Sequence, residues 1–242
     1  MGFDATPGAS AAAIQPVLAG LATLGRTAFA RSGRFTVAVS AAALAASIVD
    51  ALAVAPLAAE RFWRGTHLFL SDTDGAGARV APRALARRLP VPASGLHLDI
   101  ADGPNPLKAA AYEQELRAFF GLRAGLLPRF DLVVLALGAD GRLGGLLPRG
   151  RALDEIERLA RADFDLERGQ YVVTLTPPVI RNAASICVVA PDGSSEAVSR
   201  RIAAGASGAG RGPIEVLRGY AGRVTVVPSF PVADHAVAPA NR

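Results

Sequence analysis

Cysteine is almost missing from this chain of 242 residues; Cys187 is the only one. A single thiol excludes an internal disulfide and a thiolate metal cluster. Its place in the apolar run 186–189 marks it as an inert core thiol rather than a nucleophile. Lysine is as scarce: of 26 basic residues, only Lys108 is a lysine. The arginines are scattered in small groups, as at Arg83, Arg87 and Arg88, at Arg149 and Arg151, and at Arg200 and Arg201. Nucleic-acid binders gather positive charge on one face or arm, so nucleic acid is not an expected partner. The formal charge of +5 reads as a bias toward Ala, Arg and Gly, with at most a general attraction for small anions or acidic partners. The three histidines, His67, His97 and His235, show no metal-ligand spacing. No long, strongly apolar run is present either. Residues 35–55 come nearest and follow Arg26, Arg31 and Arg34, but they are mostly alanine, carry Asp50 and start far from Met1. They read as a strand followed by a helix, not as a membrane span or signal peptide. The expectation is a soluble protein of the cytoplasm or of a reducing organelle interior.

What is present is enough apolar residue, 51%, to bury a full core. The length suits one large α/β domain over residues 1–242, with residues 1–10 as a loosely held lead. The organising stretch is residues 130–148. Residues 131–137 form a nearly unbroken Val/Leu run, as in a strand buried on both faces of a parallel sheet. It empties into the glycine-rich segment 138–145. Ligands of open α/β sheets bind beyond the C-terminal ends of strands. Bare glycines there let backbone N–H groups approach an anion or a sugar oxygen.

Further strands are expected at residues 35–39, 66–70, 96–100, 171–176, 185–190 and 223–227. Helical stripes are expected from Ile14 to Leu24, from Leu44 to Leu52, near residues 82–88, along Leu107, Ala110, Ala111, Phe119 and Phe120, along Leu153, Ile156 and Leu159, and at 178–183 and 196–203. Gly33 and Pro56 mark breaks, residues 102–106 a turn, and 204–212 a loop. Strands alternating with helices predict a three-layer, Rossmann-like α/β fold with a mostly parallel sheet.

Five stretches in order resemble the 6-phosphogluconolactonase family, which shares its fold with the glucosamine-6-phosphate isomerases. They are residues 34–45 (first strand and G-G-S/T loop), 63–74 (tryptophan, strand and D-E-R), 130–148 (F-D-L-x-L-L-G-x-G-x-D-G-H-x-x-S-L-F-P), 172–183 (R-I-T-L-T-x-P-x-x-N-x-A) and 186–198 (strand and G-x-x-K). Framework residues match, Asp72, Gly138, Asp140 and Gly141 among them. The residues that the resemblance makes chemical do not. Ser40, Ala41 and Ala42 stand where a bare loop would hold a phosphate. Asp74 replaces the arginine, Gly145 the serine, and Pro191 and Ser194 the glycine and lysine of the last turn. Arg142 replaces the histidine, which the resemblance makes the general base. Imidazole titrates near neutrality, whereas guanidinium stays protonated and cannot accept a proton. Losing a general base costs ~100- to 10,000-fold in rate.

Two roles stay open for Arg142. It holds a phosphate or carboxylate bidentately, or it forms a salt bridge to Asp72 or Asp140 that plugs the site. Asp72 keeps functional weight by its position, while Asp74 reads as a solvated turn residue. G-A-D-G-R-L-G-G lacks the G-K-[ST] of a P-loop, and no cofactor or metal is expected. The expected ligand positions are Ser40, Ala41, Ala42, Asp72, Gly138, Asp140, Gly141, Arg142 and Ser194. The expected function is that of a binding, regulatory or assembly subunit with a sugar phosphate, another small anion or a protein as partner. The alternative is an active sugar-phosphate hydrolase or isomerase with a rebuilt site.

Overall fold

The structure, a computed structural model, describes residues 8–45, 52–53, 56–73, 86, 88–98, 105–191, 193–204 and 212–228. The elements in order are α1 (Gly8–Ser32), β1 (Phe35–Val39), α2 (Ala41–Ala45), β2 (Thr66–Leu70), β3 (Leu96–His97), α3 (Asn105–Phe120), β4 (Leu132–Ala136), β5 (Ala160–Asp165), β6 (Gln170–Leu175), α4 (Pro177–Arg181), β7 (Ser185–Ala190), α5 (Ser195–Ala203) and β8 (Arg223–Pro228). Six strands form one parallel sheet in the order β3-β2-β1-β4-β7-β8, and β5 and β6 form a separate antiparallel hairpin. The fold is the three-layer α/β sandwich expected, with a wholly parallel main sheet.

The sheet forms because its central strands are apolar on both faces. Val37, Val39, Leu68, Leu70, Leu132, Val134, Cys187 and Val189 pack toward α1, where Ala22, Ala28, Phe62 and Trp63 meet them. The alternate residues Ala38, Phe69, Val133, Leu135, Ile186 and Val188 pack toward α3, α4 and α5. Side chains of period two therefore fill two cores from one strand set. Trp63 is tied by its indole N–H to the carbonyl of Leu57 at 2.8 Å. Gly33, at φ +67, turns the chain from α1 into β1 with its N–H on the carbonyl of Phe29. β1 has β2 on one side and β4 on the other, so the topological switch lies between the C-terminal ends of β1 and β4. That is where Ser40 and Gly138 stand.

Several expectations need correction. α1 begins at Gly8 and continues to Ser32, absorbing the end of the supposed lead. The strand expected at 96–100 is two residues long, and Leu98 lies outside it. The helix expected along Leu153, Ile156 and Leu159 is a single 3₁₀ turn, Arg151–Asp154, followed by strand β5. Ile156 is 77% exposed while Leu159 is buried, so no helical stripe exists there. On α3 the buried stripe is Ala109, Tyr112 and Leu116, with Phe119 and Phe120 packed beside it. Leu107, Ala110 and Ala111 are exposed, because a 100° turn per residue puts them off that stripe. Residues 1–7, the middle of the second helical stripe, the helix near 82–88 up to its last turn, and most of loops 71–77, 102–106 and 204–212 lie outside the described residues. Among those described, no helix is long and apolar enough to cross a membrane.

The two leucines of α3 check this burial. Leu116→Ala is expected to cost about 2–5 kcal/mol by the lost contacts and the cavity left. Leu107→Ala is expected to stay within about 0.5 kcal/mol. Urea unfolding of the two variants measures the difference.

Candidate functional site

The loop after β4 is closed by its own backbone. The N–H of Gly138 donates to the carbonyl of Arg142 at 2.9 Å, that of Gly141 to Gly138 at 3.0 Å, that of Leu143 to Leu146 at 3.1 Å, and that of Gly144 to Ala136 at 2.7 Å. The N–H of Arg142 donates to Asp140 Oδ1 at 3.2 Å. These amides were expected to face an anion, and the structure uses them internally instead. The glycines are bare for a second reason. A Cβ on Gly138 would meet Asp140 Oδ1 at 2.5 Å and Arg142 Cγ at 2.8 Å, and one on Gly145 would meet Asp72 Cβ at 2.6 Å and Thr174 Cβ at 2.7 Å. The space a side chain would need is filled by Asp72, Thr174, Asp140 and Arg142.

Arg142 is the charged centre of this loop, with a side chain only 5% exposed. Its Nε donates to Asp140 Oδ2 at 2.6 Å and its Nη2 to Asp165 Oδ2 at 2.8 Å. Sequence reasoning held the first pairing as one of the open roles of Arg142 and missed the second, because Asp165 stands at the end of the unforeseen strand β5. Asp165 is itself fixed. Its Oδ1 accepts the N–H groups of Glu167 at 3.1 Å and Arg168 at 3.2 Å in the hairpin turn, and Arg168 Nε approaches Oδ2 at 3.9 Å. Burial pushes both carboxyls up, but the hydrogen bonds and charge of Arg142 outweigh it and hold Asp140 and Asp165 below the usual carboxylate range. A sequence signal for β5 existed: Asp163-Phe164-Asp165-Leu166 alternates with period two before a turn closed by Gly169 at φ +64.

The hairpin also caps the strand ends. Leu175 N–H donates to the carbonyl of Ser71 at 2.8 Å, Thr73 N–H to Val173 at 2.9 Å, and Val173 N–H to Thr73 Oγ1 at 2.8 Å. Asp72 is thereby enclosed against Thr174, fully buried, and accepts the hydroxyl of Ser71 at 2.8 Å. Ser40 follows β1 directly, its N–H on the carbonyl of Val134; it is fully buried, and among the described residues its Oγ has no hydrogen-bond partner. Ala41 and Ala42 open α2 directly behind it.

The structure thus brings Ser40, Asp72, Gly138, Asp140, Gly141 and Arg142 to one end of the sheet. Ser194 stands before α5 and spends its hydroxyl on the carbonyl of Pro191 at 2.6 Å. Asp74 and His235 lie outside the described residues. His67 and His97 lie together on the β2–β3 edge of the sheet and are not among the residues gathered around Arg142. Cys187 faces the core, and burial pushes its thiol up to about 12, in keeping with an inert role. Among the described residues no three His, Cys, Asp or Glu side chains could together hold a metal ion.

A family model describing glucosamine-6-phosphate isomerases and 6-phosphogluconolactonase matches residues 9–226. A 6-phosphogluconolactonase of a Nostoc species is 30% identical over 167 residues, covering 67% of this chain and 69% of that protein. One from a Synechocystis species is 31% identical over 173 residues, covering 70% and 71%. Among solved structures, the 6-phosphogluconolactonase from Trypanosoma cruzi superimposes with a TM-score of 0.72 at 19% identity, covering 91% of each chain. That from Shewanella baltica superimposes with a TM-score of 0.71 at 20% identity, covering 91% of this chain and 94% of the other.

The Arg142 cluster has a signature in acid. Asp140 and Asp165 titrate lower in the folded chain than in the unfolded one. Their stabilisation is therefore complete above about pH 4 and drains away as pH falls through the folded-state values. Asp165→Asn is expected to cost about 3–5 kcal/mol at neutral pH, because it strips one partner from a buried guanidinium. It should also flatten the loss of stability on acidification. Urea titrations across the acid range measure both effects.

Proposed function

The chain belongs to the glucosamine-6-phosphate isomerase/6-phosphogluconolactonase family, and on that premise we propose that it has lost ordinary lactonase chemistry and serves as a binding, regulatory or assembly subunit. One observation carries this reading. At the position where the family resemblance puts a general base stands Arg142, buried and bound by two carboxylates. A guanidinium cannot take a proton from water. With Nε and Nη2 on Asp140 and Asp165, it is also a poor anion clamp, since a phosphate would have to displace partners already in place. The internally used amides of the glycine loop support the same reading, because an oxyanion would find those donors occupied. Gly145, at the family's serine position, has no room for a side chain.

A second reading is an active sugar-phosphate hydrolase or isomerase, acting as the named relatives do on 6-phosphogluconolactone in the pentose phosphate pathway. Asp72 or Asp140 would be its base and Arg142 its anion clamp. Ser40 favours it: a hydroxyl buried just after β1, without a hydrogen-bond partner among the described residues, invites a ligand or a water. Against it, the carboxyl of Asp140 is held below its ordinary range, which makes it a weaker base.

A coupled assay with 6-phosphogluconolactone separates the two. The expected result is hydrolysis at the spontaneous rate. Turnover well above that rate, lost in Asp140→Asn, would establish the second reading. Arg142→His alone is expected to restore no activity, and a gain would show that the scaffold still seats the lactone. Thermal-shift screening against 6-phosphogluconate and other sugar phosphates then distinguishes a sensor, which is stabilised by ligand, from a pure scaffold, which is not.

A further inference from the structure

Two histidines meet on the α3-facing side of the β2–β3 edge of the sheet. His67 is the second residue of β2 and His97 the last of β3. His67 Nδ1 lies 3.2 Å from His97 Nε2, and His97 Nδ1 lies 3.0 Å from Oε1 of Glu115 on α3. Phe69 stacks flat on the His97 ring at 4.2 Å, and Phe119 packs against both imidazoles. Arg34, just before β1, lies over the Phe119 ring at 5.7 Å.

We infer that the pair is an acid-sensitive latch on the edge of the sheet: it holds one added proton but not two, and acidification releases β3. The hydrogen inventory gives the reason. With both rings neutral, His97 Nδ1–H donates to Glu115 and His97 Nε2 accepts Nδ1–H from His67. One added proton still leaves a single N–H between the rings, with His67 in the tautomer whose Nδ1 accepts and the Glu115 carboxylate still facing a ring nitrogen of His97. A second proton sets two N–H groups against each other across 3.2 Å. The charges facing His67 are His97 from β3 and Arg34 from the start of β1, both opposing that proton; Phe119 of α3 brings none. Glu115, the one acid in the cluster, is already engaged by His97.

Burial, with His97 and Arg34, holds His67 below its ordinary titration range. A released His67 protonates near pH ~6.5 and a docked one only at lower pH. Docking is therefore complete above that pH and weakens as pH falls below it. β3 is the element exposed to this change. It is an edge strand held to β2 by two residue pairs, Leu68 with Leu96 and Phe69 with His97. Elements with few contacts open first.

Hydrogen–deuterium exchange on the full chain at about pH 7.5 and about pH 5.5, corrected for intrinsic exchange, tests the latch. The peptide spanning residues 93–98 should lose protection several-fold at the lower pH while the β4 peptide keeps its own. His67→Gln, which keeps a donor for His97 but cannot titrate, should abolish that difference. Glu115→Gln, which removes the counter-charge, should enlarge it. Equal protection at both pH values, or a pH difference that persists in His67→Gln, overturns the inference. Should a variant fail to fold, NMR titration of the unmodified protein decides. Two coupled steps, with the second below ~6.5, support the latch, and two independent titrations at the ordinary value refute it.

Discussion

The candidate site rests on a guanidinium buried among carboxylates. Arg142 is charged at any pH the fold survives, and it lies where water scarcely reaches. Such a group is tolerated only if its charge and its donors are answered by the protein. Asp140 answers from the same loop and Asp165 from the hairpin. The second contact ties the loop to a hairpin that the main sheet does not join. In the reading proposed above, the two together also set the chemistry, because a guanidinium does not accept a proton and this one already has two acid partners.

The hairpin is what makes that arrangement possible. It stands apart from the six-stranded sheet, and β6 runs along Ser71 to Thr73 to enclose Asp72. β5 brings Asp163 and Asp165 inward. Asp163 takes the N–H of Ala152 at 2.8 Å and so anchors the turn after the glycine loop. Phe164 and Tyr171 point outward and meet edge to face, their ring centres 5.0 Å apart. The alternation that puts two acids inside and an aromatic pair outside reverses the usual sense of a half-buried strand. It works because the groove beneath β5 is lined by the loop amide and the guanidinium that the acids satisfy.

That reversal also explains which parts of the structure were legible in the sequence. β1, β2 and β7 read to the residue and β8 to within one; β1 and β7, buried at every residue, show up as nearly unbroken apolar runs. The position of Arg142 at the end of β4, and its pairing with Asp140 two residues away, were equally local. β5 was not legible by hydrophobic pattern, because two of the three residues it buries are aspartates. Asp165 is answered by an arginine 23 positions upstream and Asp163 by the N–H of Ala152. The apolar residues around it, Ile156 and Leu159, instead suggested a helix. The glycine loop has a further reason to be bare that the sequence did not show: a Cβ on Gly138 or Gly145 would run into Asp140, Arg142, Asp72 or Thr174. The meeting of His67 and His97, thirty residues apart, required the pairing of β2 with β3.

The most direct test of the account is the side-chain NMR signal of the Arg142 Nε–H. A guanidinium sealed by Asp140 and Asp165 gives a resonance that exchanges slowly with water and does not move when 6-phosphogluconate is added. A resonance that exchanges rapidly, or that shifts in proportion to added 6-phosphogluconate, would contradict it and show an arginine free to hold an anion.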